Sequence, residues 1–214
     1  MKTSARPLQR TSTVDALAGA LRRQILDGEL EPGAWLRERE LCEAYGVARH
    51  SLRAALRSLS AEGLVRIEPH RGAHVAQLGK EEIPWLYELR VALEVEAAHL
   101  ALERGGGRLP VEVHEALARL QDACHGEDPS WSDVNEAHAA LHAAIVAAAR
   151  SPRIAAAHAA LNGEMQLFLL ALRPHVEPRE LAEDHAALGL GHELGGTDVL
   201  REHLRRSAET LAGV

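Results

Sequence analysis

Three arginines and two histidines stand at spacings that could do chemistry. Arg49, Arg53 and Arg57 recur at four-residue intervals inside a stretch, Ala44 to Ala61, that holds no acidic residue. On a helix that interval keeps the guanidinium groups along one face. Their forked donors suit phosphate oxygens and guanine edges, and the lack of acids removes repulsion with a polyanion. The alternative is a solvated basic face. His138 and His142 are likewise four apart, so on a helix both imidazoles project to one side. Such a pair can chelate one divalent cation, imidazole suiting zinc, nickel, copper or iron. Two ordinary histidines on an alanine-rich helix are the alternative here.

The arginines need a rigid scaffold, and the flanking residues supply its signals. Thr13 can cap a helix whose Val14, Leu17, Leu21 and Ile25 recur at helical spacing up to Asp27-Gly28. Glu31-Pro32-Gly33 reads as a turn, Glu38 to Tyr45 as a second helix, and Gly46 as a tight turn. A third helix runs from about Ala48 to Ala61, with Leu52, Ala55, Leu56 and Leu59 inward, and Gly63 stops it. Two short strands follow, Leu64 to Ile67 and His74 to Ala76, joined by a tip at Pro69-His70-Arg71-Gly72. Residues 10–78 therefore read as a winged helix-turn-helix, whose third helix enters a major groove. Arg71 at the tip would reach the neighbouring backbone or minor groove.

Beyond residue 78 the periodicity is helical throughout. Trp85, Leu86, Leu89, Leu93, Ala97, Leu100 and Ala101 define one long helix that Gly105-Gly106-Gly107 ends. Further helices fit residues 111–123, 132–149, 152–172, 178–190 and 197–211, so 79–214 reads as an all-helical bundle. The expected fold is mainly α. The two parts differ in charge: residues 1–78 carry 12 basic and 9 acidic side chains, the remainder 12 and 22, which separates a nucleic-acid-facing part from an acidic part with another task. Arg90 and Glu94 lie one turn apart. They form either an intrahelical ion pair or a site where Arg90 binds an effector carboxylate. Glu96 and His99 make a single Glu-x-x-His, whereas di-iron bundles need two. His192-Glu193 lacks the second histidine of a metalloprotease helix.

Composition bounds the rest. At 46% hydrophobic and 26% charged the chain can bury a core, which excludes a disordered tail and a disulfide-stapled miniprotein. Aromatics at 3% disfavour stacking platforms for single-stranded nucleic acid. Cys42 and Cys124 fit no metal or redox spacing and read as reduced thiols, hence a cytoplasmic protein. No stretch approaches the roughly 20 apolar residues of a membrane span, and Met1 to Arg10 lacks a signal-peptide apolar region.

Several segments carry a family resemblance. Leu30-Glu31-Pro32-Gly33, Leu36-Arg37-Glu38-Arg39-Glu40-Leu41, Gly46-Val47-Ala48-Arg49, Leu52-Arg53-Ala54-Ala55-Leu56, Glu62-Gly63-Leu64-Val65 and Arg71-Gly72-Ala73 resemble the GntR-type winged helix. The resemblance implies DNA contacts by Arg39, Arg49 and Arg53, with the wing around His70 and Arg71. His50 contacts DNA or is simply exposed, and Arg57 joins from the stripe. Ala48 stands where the family usually carries Ser or Thr. Further on, Tyr87-Glu88-Leu89-Arg90, Leu141-His142-Ala143-Ala144-Ile145 through Ser151-Pro152-Arg153, Asp184-His185 and Leu200-Arg201-Glu202-His203-Leu204-Arg205-Arg206 resemble the FCD-type ligand-binding domain of the FadR-like branch. In its metal-binding members an aspartate and three histidines surround a divalent cation. By position the histidines are His142, His185 and His203, and the aspartate's place holds His138, which shifts the site towards all-nitrogen ligation. The interval from His185 to His203 is about one helical turn shorter than the resemblance implies, which keeps helix phase. The implied protein is a homodimeric regulator of duplex operator DNA, responsive to a divalent metal (zinc, nickel or similar) and a small carboxylate bound near Arg90. The competing expectation is a metal-dependent hydrolase with a vestigial DNA-binding module. A helical interaction module without a small ligand is a third.

Overall fold

A computed structural model describes residues 12–77, 79–188 and 196–213. The first helix, α1 (Thr13–Leu26), begins with a reciprocal capping box in which Ser12, rather than Thr13, is the N-cap and Asp15 answers it. Strand β1 (Trp35–Leu36) precedes α2 (Glu38–Tyr45). Gly46 closes α2 in the left-handed region at φ 63°, where an L side chain is strained. It turns the chain into α3 (Arg49–Ala61). Leu52, Ala55, Leu56 and Leu59 of α3 pack on Leu17, Leu21, Ile25 and Leu26 of α1. Each buried leucine contributes about 1.5–3 kcal/mol, so the apolar face fixes the helix and leaves its arginines outward.

Strands β2 (Val65–Glu68) and β3 (Gly72–Val75) form the wing, with β1 on the other side of β3 in the order β1-β3-β2. All pairings are antiparallel, with Trp35 opposite His74 and Ile67 opposite Ala73. At the hairpin tip His70 is itself left-handed, at φ 64°.

The long helix expected from residue 80 is continuous but not uniform. Helix α4 (Glu82–Arg90) passes through one wide π turn (Val91–Val95) into α5 (Glu96–Arg104). Such turns are frequent at functional sites, and around this one Arg90 and Glu94 lie in the interior, 3% and 0% exposed. Then come α6 (Val111–Cys124) and the central α7 (Trp131–Ala148). The single helix expected over 152–172 is two, α8 (Pro152–Ala159) and α9 (Asn162–Leu172). Helices α10 (Pro178–Ala186) and α11 (Gly196–Ala212) complete the bundle. The expected stretch through Leu190, with the His192-Glu193 pair, runs outside the described residues.

The break between α8 and α9 lies beside a tertiary contact. Gly163 presses its backbone against the end of α3: a β-carbon there would overlap the Glu62 carbonyl, 2.7 Å from its carbon. Leu167 of α9 is buried within the winged-helix core. The Asp27 carboxylate accepts from the Ser132 amide at the start of α7, 2.9 Å, and Arg173 donates to the Asp27 carbonyl. The two parts are docked through α1 and the C-terminal end of α3.

Candidate metal centre and nucleic-acid interface

Four imidazoles converge inside the bundle: His138 and His142 from α7, His185 from α10, His203 from α11. One ring nitrogen from each of His138, His142 and His185 lies within 4.8 Å of the other two. The His203 ring centroid is 4.5 Å from that of His185 and stacks 6.0 Å from His142. Hydrogen bonds fix two tautomers. His142 Nδ1–H donates to Glu94 Oε2 at 2.6 Å, and His185 Nδ1–H donates to the Leu181 carbonyl at 2.7 Å. Each therefore presents an unprotonated Nε2, and those two lone pairs face each other at 3.4 Å. Two acceptors so opposed repel unless a cation lies between them. Tetrahedral Zn–N bonds separate neighbouring nitrogens by about 3.3 Å. The donor set thus fits a divalent cation, with three neutral imidazoles gathered, the His203 ring beside them, and two of the three oriented by a carboxylate or a carbonyl behind the ring.

Charge around the cluster is ordered. Burial is the main reason all four imidazoles titrate below the ordinary histidine range, His185 down to about 3, and the Arg90 charge adds to it. They are neutral, as metal ligands must be. Burial alone would raise Glu94, but the Arg90 charge and then His142 hold its carboxyl well below the usual carboxylate range. Glu94 accepts from Arg90 Nε at 2.7 Å and from His158 Nε2 at 3.3 Å besides His142. The Arg90 guanidinium lies 4.8 Å over the Tyr87 ring, and its buried Nη2 has no hydrogen-bond partner among the described residues. Of the two expectations for Arg90, the ion pair with Glu94 is formed, and it lies inside the bundle and not on its surface.

On the opposite part, Arg49, His50, Arg53 and Arg57 are exposed along α3, Arg39 is exposed on α2, and His70 and Arg71 are exposed at the wing tip. A groove between α3 and the wing is lined by Arg53, Arg57, His70 and Arg71, with Glu38 and Glu68 among them. Arg53 is paired with Glu38 and Arg71 with Glu68, at 2.9 and 2.7 Å. Arg49, Arg57 and Arg39 have no ion pair among the described residues. Ala48 caps α3 with no side-chain bond, leaving the amides of its first turn free of a capping side chain.

Residues 13–75 match the family of bacterial regulatory proteins termed gntR, and residues 85–206 match the FCD domain. The chain belongs to the GntR family. It is a transcriptional regulator of that family, with an FCD domain behind its winged helix. It is 31% identical over 166 residues to the HTH-type transcriptional repressor GlaR of Escherichia coli K12, covering 75% of this chain and 72% of that one. It is 28% identical over 193 residues to the gluconate operon transcriptional repressor of Bacillus subtilis 168, covering 89% and 76%. A GntR regulator structure from Rhodococcus sp. RHA1 superposes with a TM-score of 0.73 at 27% identity, over 94% of this chain and 98% of that one.

Within this GntR regulator all four histidines singled out from sequence come together, although three helices bring them. Three polar residues of the FCD domain lie beside the cluster without having been site candidates in the sequence. Glu94 is the buried acceptor behind His142, and His158 is buried against Glu94. The signal for Glu94 was its place four residues after Arg90, which an ordinary surface ion pair explains equally well. Asn135, one turn before His138, is the third omission: its Nδ2 donates to the Gln166 carbonyl at 2.8 Å, and its buried Oδ1 has no partner among the described residues.

Proposed function

We propose that the protein binds duplex operator DNA through α3 and the wing, and that a divalent cation and a small carboxylate held in the bundle set its operator affinity. Arg49, Arg53 and Arg57 meet the major groove, with His50 and Arg39 beside them and His70 and Arg71 at the flanking backbone. His138, His142, His185 and His203 hold the cation. When bound, that cation supplies an electrophilic centre for an effector's carboxylate. Arg90, with Nη2 unpartnered, supplies the second anchor. The opposed Nε2 atoms of His142 and His185 carry the metal half of this reading. The gluconate repressor among the relatives supports a carboxylate effector. An all-imidazole cage favours zinc or nickel over magnesium or calcium.

The active form is a homodimer, so that two recognition helices address a two-fold operator. Trp85 and Leu89 on one face of α4, with Val199 on the adjoining α11, expose apolar surface suited to that role. Reduced Cys42 and Cys124 fit action in the cytoplasm. An effector changes transcription only if it binds the DNA-competent and incompetent states with different affinity.

Two measurements test this. Arg49→Ala and Arg53→Ala should abolish the operator-specific gel shift while leaving the dimer intact on size exclusion. Unchanged operator affinity in both would remove α3 from the interface. Elemental analysis should find about one divalent metal per chain, lost in a His142→Ala/His203→Ala double variant. A metal-free protein that takes up neither zinc nor nickel would reduce the histidines to packing.

A further inference from the structure

We infer that Glu38 is a positioning, specificity-determining residue for DNA recognition: it orients the Arg53 guanidinium towards the groove and penalises binding wherever no base answers that arginine. This rests on the reading of α3 as the recognition helix. Glu38 opens α2, and its carboxylate takes Arg53 Nε through both oxygens, at 2.9 and 3.1 Å. The acid's side chain is 28% exposed and the arginine's 59%, so the acid stands behind and the outer end of the guanidinium stands in solvent. Because the grip is on Nε, the terminal Nη fork has no partner among the described residues. Those two parallel donors are what guanine O6 and N7 accept together. Of the three arginines on α3, Arg53 is the one held this way.

The other acid–arginine pair of the groove is built differently. Glu68 holds Arg71 by the terminal Nη1, and the guanidinium lies 5.6 Å over Trp35. That fork is occupied and folded back on the wing, whereas the Arg53 fork is presented.

An exposed ion pair contributes little to stability, and the helix dipole favours an acid in the first turn of α2 only weakly, so the fold alone is a small reason for Glu38 to be acidic. Two effects on recognition add to it. An untethered arginine surrenders rotamer freedom when it docks; one already held by its Nε surrenders less. A carboxylate at the rim of a DNA-binding face also repels phosphate on every sequence, and only a good base contact offsets that repulsion. Specificity is a difference of affinities. The acid therefore lowers non-specific binding more than specific binding.

The test uses the full chain. Wild-type and Glu38→Gln protein each select duplexes from a random library. The duplex selected by wild type, and a scrambled duplex of equal composition, are then titrated at one fixed salt concentration. Wild type should demand a guanine at one position of each half-site that Glu38→Gln no longer demands, other positions being unchanged. Affinity for the scrambled duplex should rise a few-fold, and the specific-to-scrambled ratio should fall by roughly tenfold or more, the worth of one bidentate base contact. Arg53→Lys should relax the same position, and in that background Glu38→Gln should alter the ratio by less than about twofold, as coupled residues do. An unchanged guanine preference and ratio in Glu38→Gln overturns the inference, as does an equal effect in both backgrounds, which would mean that the acid acts through the fold. If wild type selects no sequence, the DNA-binding reading itself fails. If it selects a site and Glu38→Gln behaves identically, only the role of Glu38 fails.

Discussion

Neutralising Glu94 should cost more than any other single change in the bundle. Its carboxylate is fully buried and accepts from Arg90 Nε, His142 Nδ1 and His158 Nε2. Glu94→Gln keeps the shape and removes the charge. Arg90, 3% exposed and already short of a partner at Nη2, is left as an uncompensated buried cation. Removing one member of a buried pair costs about 3–5 kcal/mol. At roughly 2–4 °C per kcal/mol for a chain of this size, the melting temperature of the metal-stripped protein should fall by about 6–20 °C. Circular dichroism melts at neutral pH after chelation measure this without interference from metal. Arg90→Met alone should also destabilise, by leaving a buried carboxylate with fewer donors. The Glu94→Gln/Arg90→Met double variant should recover much of the loss, since neither charge remains. A Glu94→Gln protein within about 1 kcal/mol of wild type would refute the reasoning, as would additive losses in the double variant.

Acid should destabilise the metal-free protein through its imidazoles. Their folded pKa values lie below the unfolded value of about 6.5, His185 at about 3. The unfolded chain therefore binds more protons in that window, and stability should be level above it and fall as pH falls through it. Urea midpoints that stay constant between about pH 7 and pH 5 would contradict this. Gly163→Ala should lower stability by about 1–3 kcal/mol, because the added carbon meets the Glu62 backbone and not a movable side chain. Hydrogen exchange at residues 62–64 should quicken, and unchanged exchange would show that the junction yields freely. Ala48→Ser should stabilise by about 0.5–2 kcal/mol, since residue 48 already has an extended N-cap conformation and lacks only the hydroxyl. A melting temperature that is unchanged or lower would show that the Ser hydroxyl does not cap α3.

What sequence could reveal depended on whether the cause was local. The arginine stripe, the apolar face of α3 and the Gly46 turn are local facts, and α2 and α3 lie within one residue of their expected bounds. Strand β1 was not anticipated: two residues carry no periodicity, and pairing to β3 makes them a strand. Residues 152–172 read as one helix because alanines and leucines continue unbroken. The interruption falls beside the contact of Gly163 with the Glu62 carbonyl, a residue far earlier in the chain that local periodicity does not register. The wide turn at Val91–Val95 is equally silent, and without it Arg90 and Glu94 look like a surface pair. Of the four histidines, spacing alone could join only His138 to His142. His185 and His203 came from family resemblance.

The histidine cluster and α3 are joined through short backbone and amide contacts. Asn135 stands one turn before His138 on α7 and ties that helix to the Gln166 carbonyl of α9, both residues being buried. Gln166 in turn stands one turn after Gly163, whose backbone rests on Glu62, the C-cap of α3. Between α7 and α3 there is thus one short amide and two stretches of backbone, with no long side chain to take up a displacement by changing rotamer. Close-packed contacts of this kind transmit strain rather than dissipate it. Arg22, bound to Glu62 by both its Nε and Nη2, holds the same cap from the α1 side. On the proposed function, a ligand that alters the seating of α7 would act first at the C-terminal end of α3, while Arg49, Arg53 and Arg57 project from the rest of that helix. The size of the effect is set by how differently the ligand binds the two seatings, which is why metal occupancy and Gly163 substitutions belong in the same DNA-binding titration.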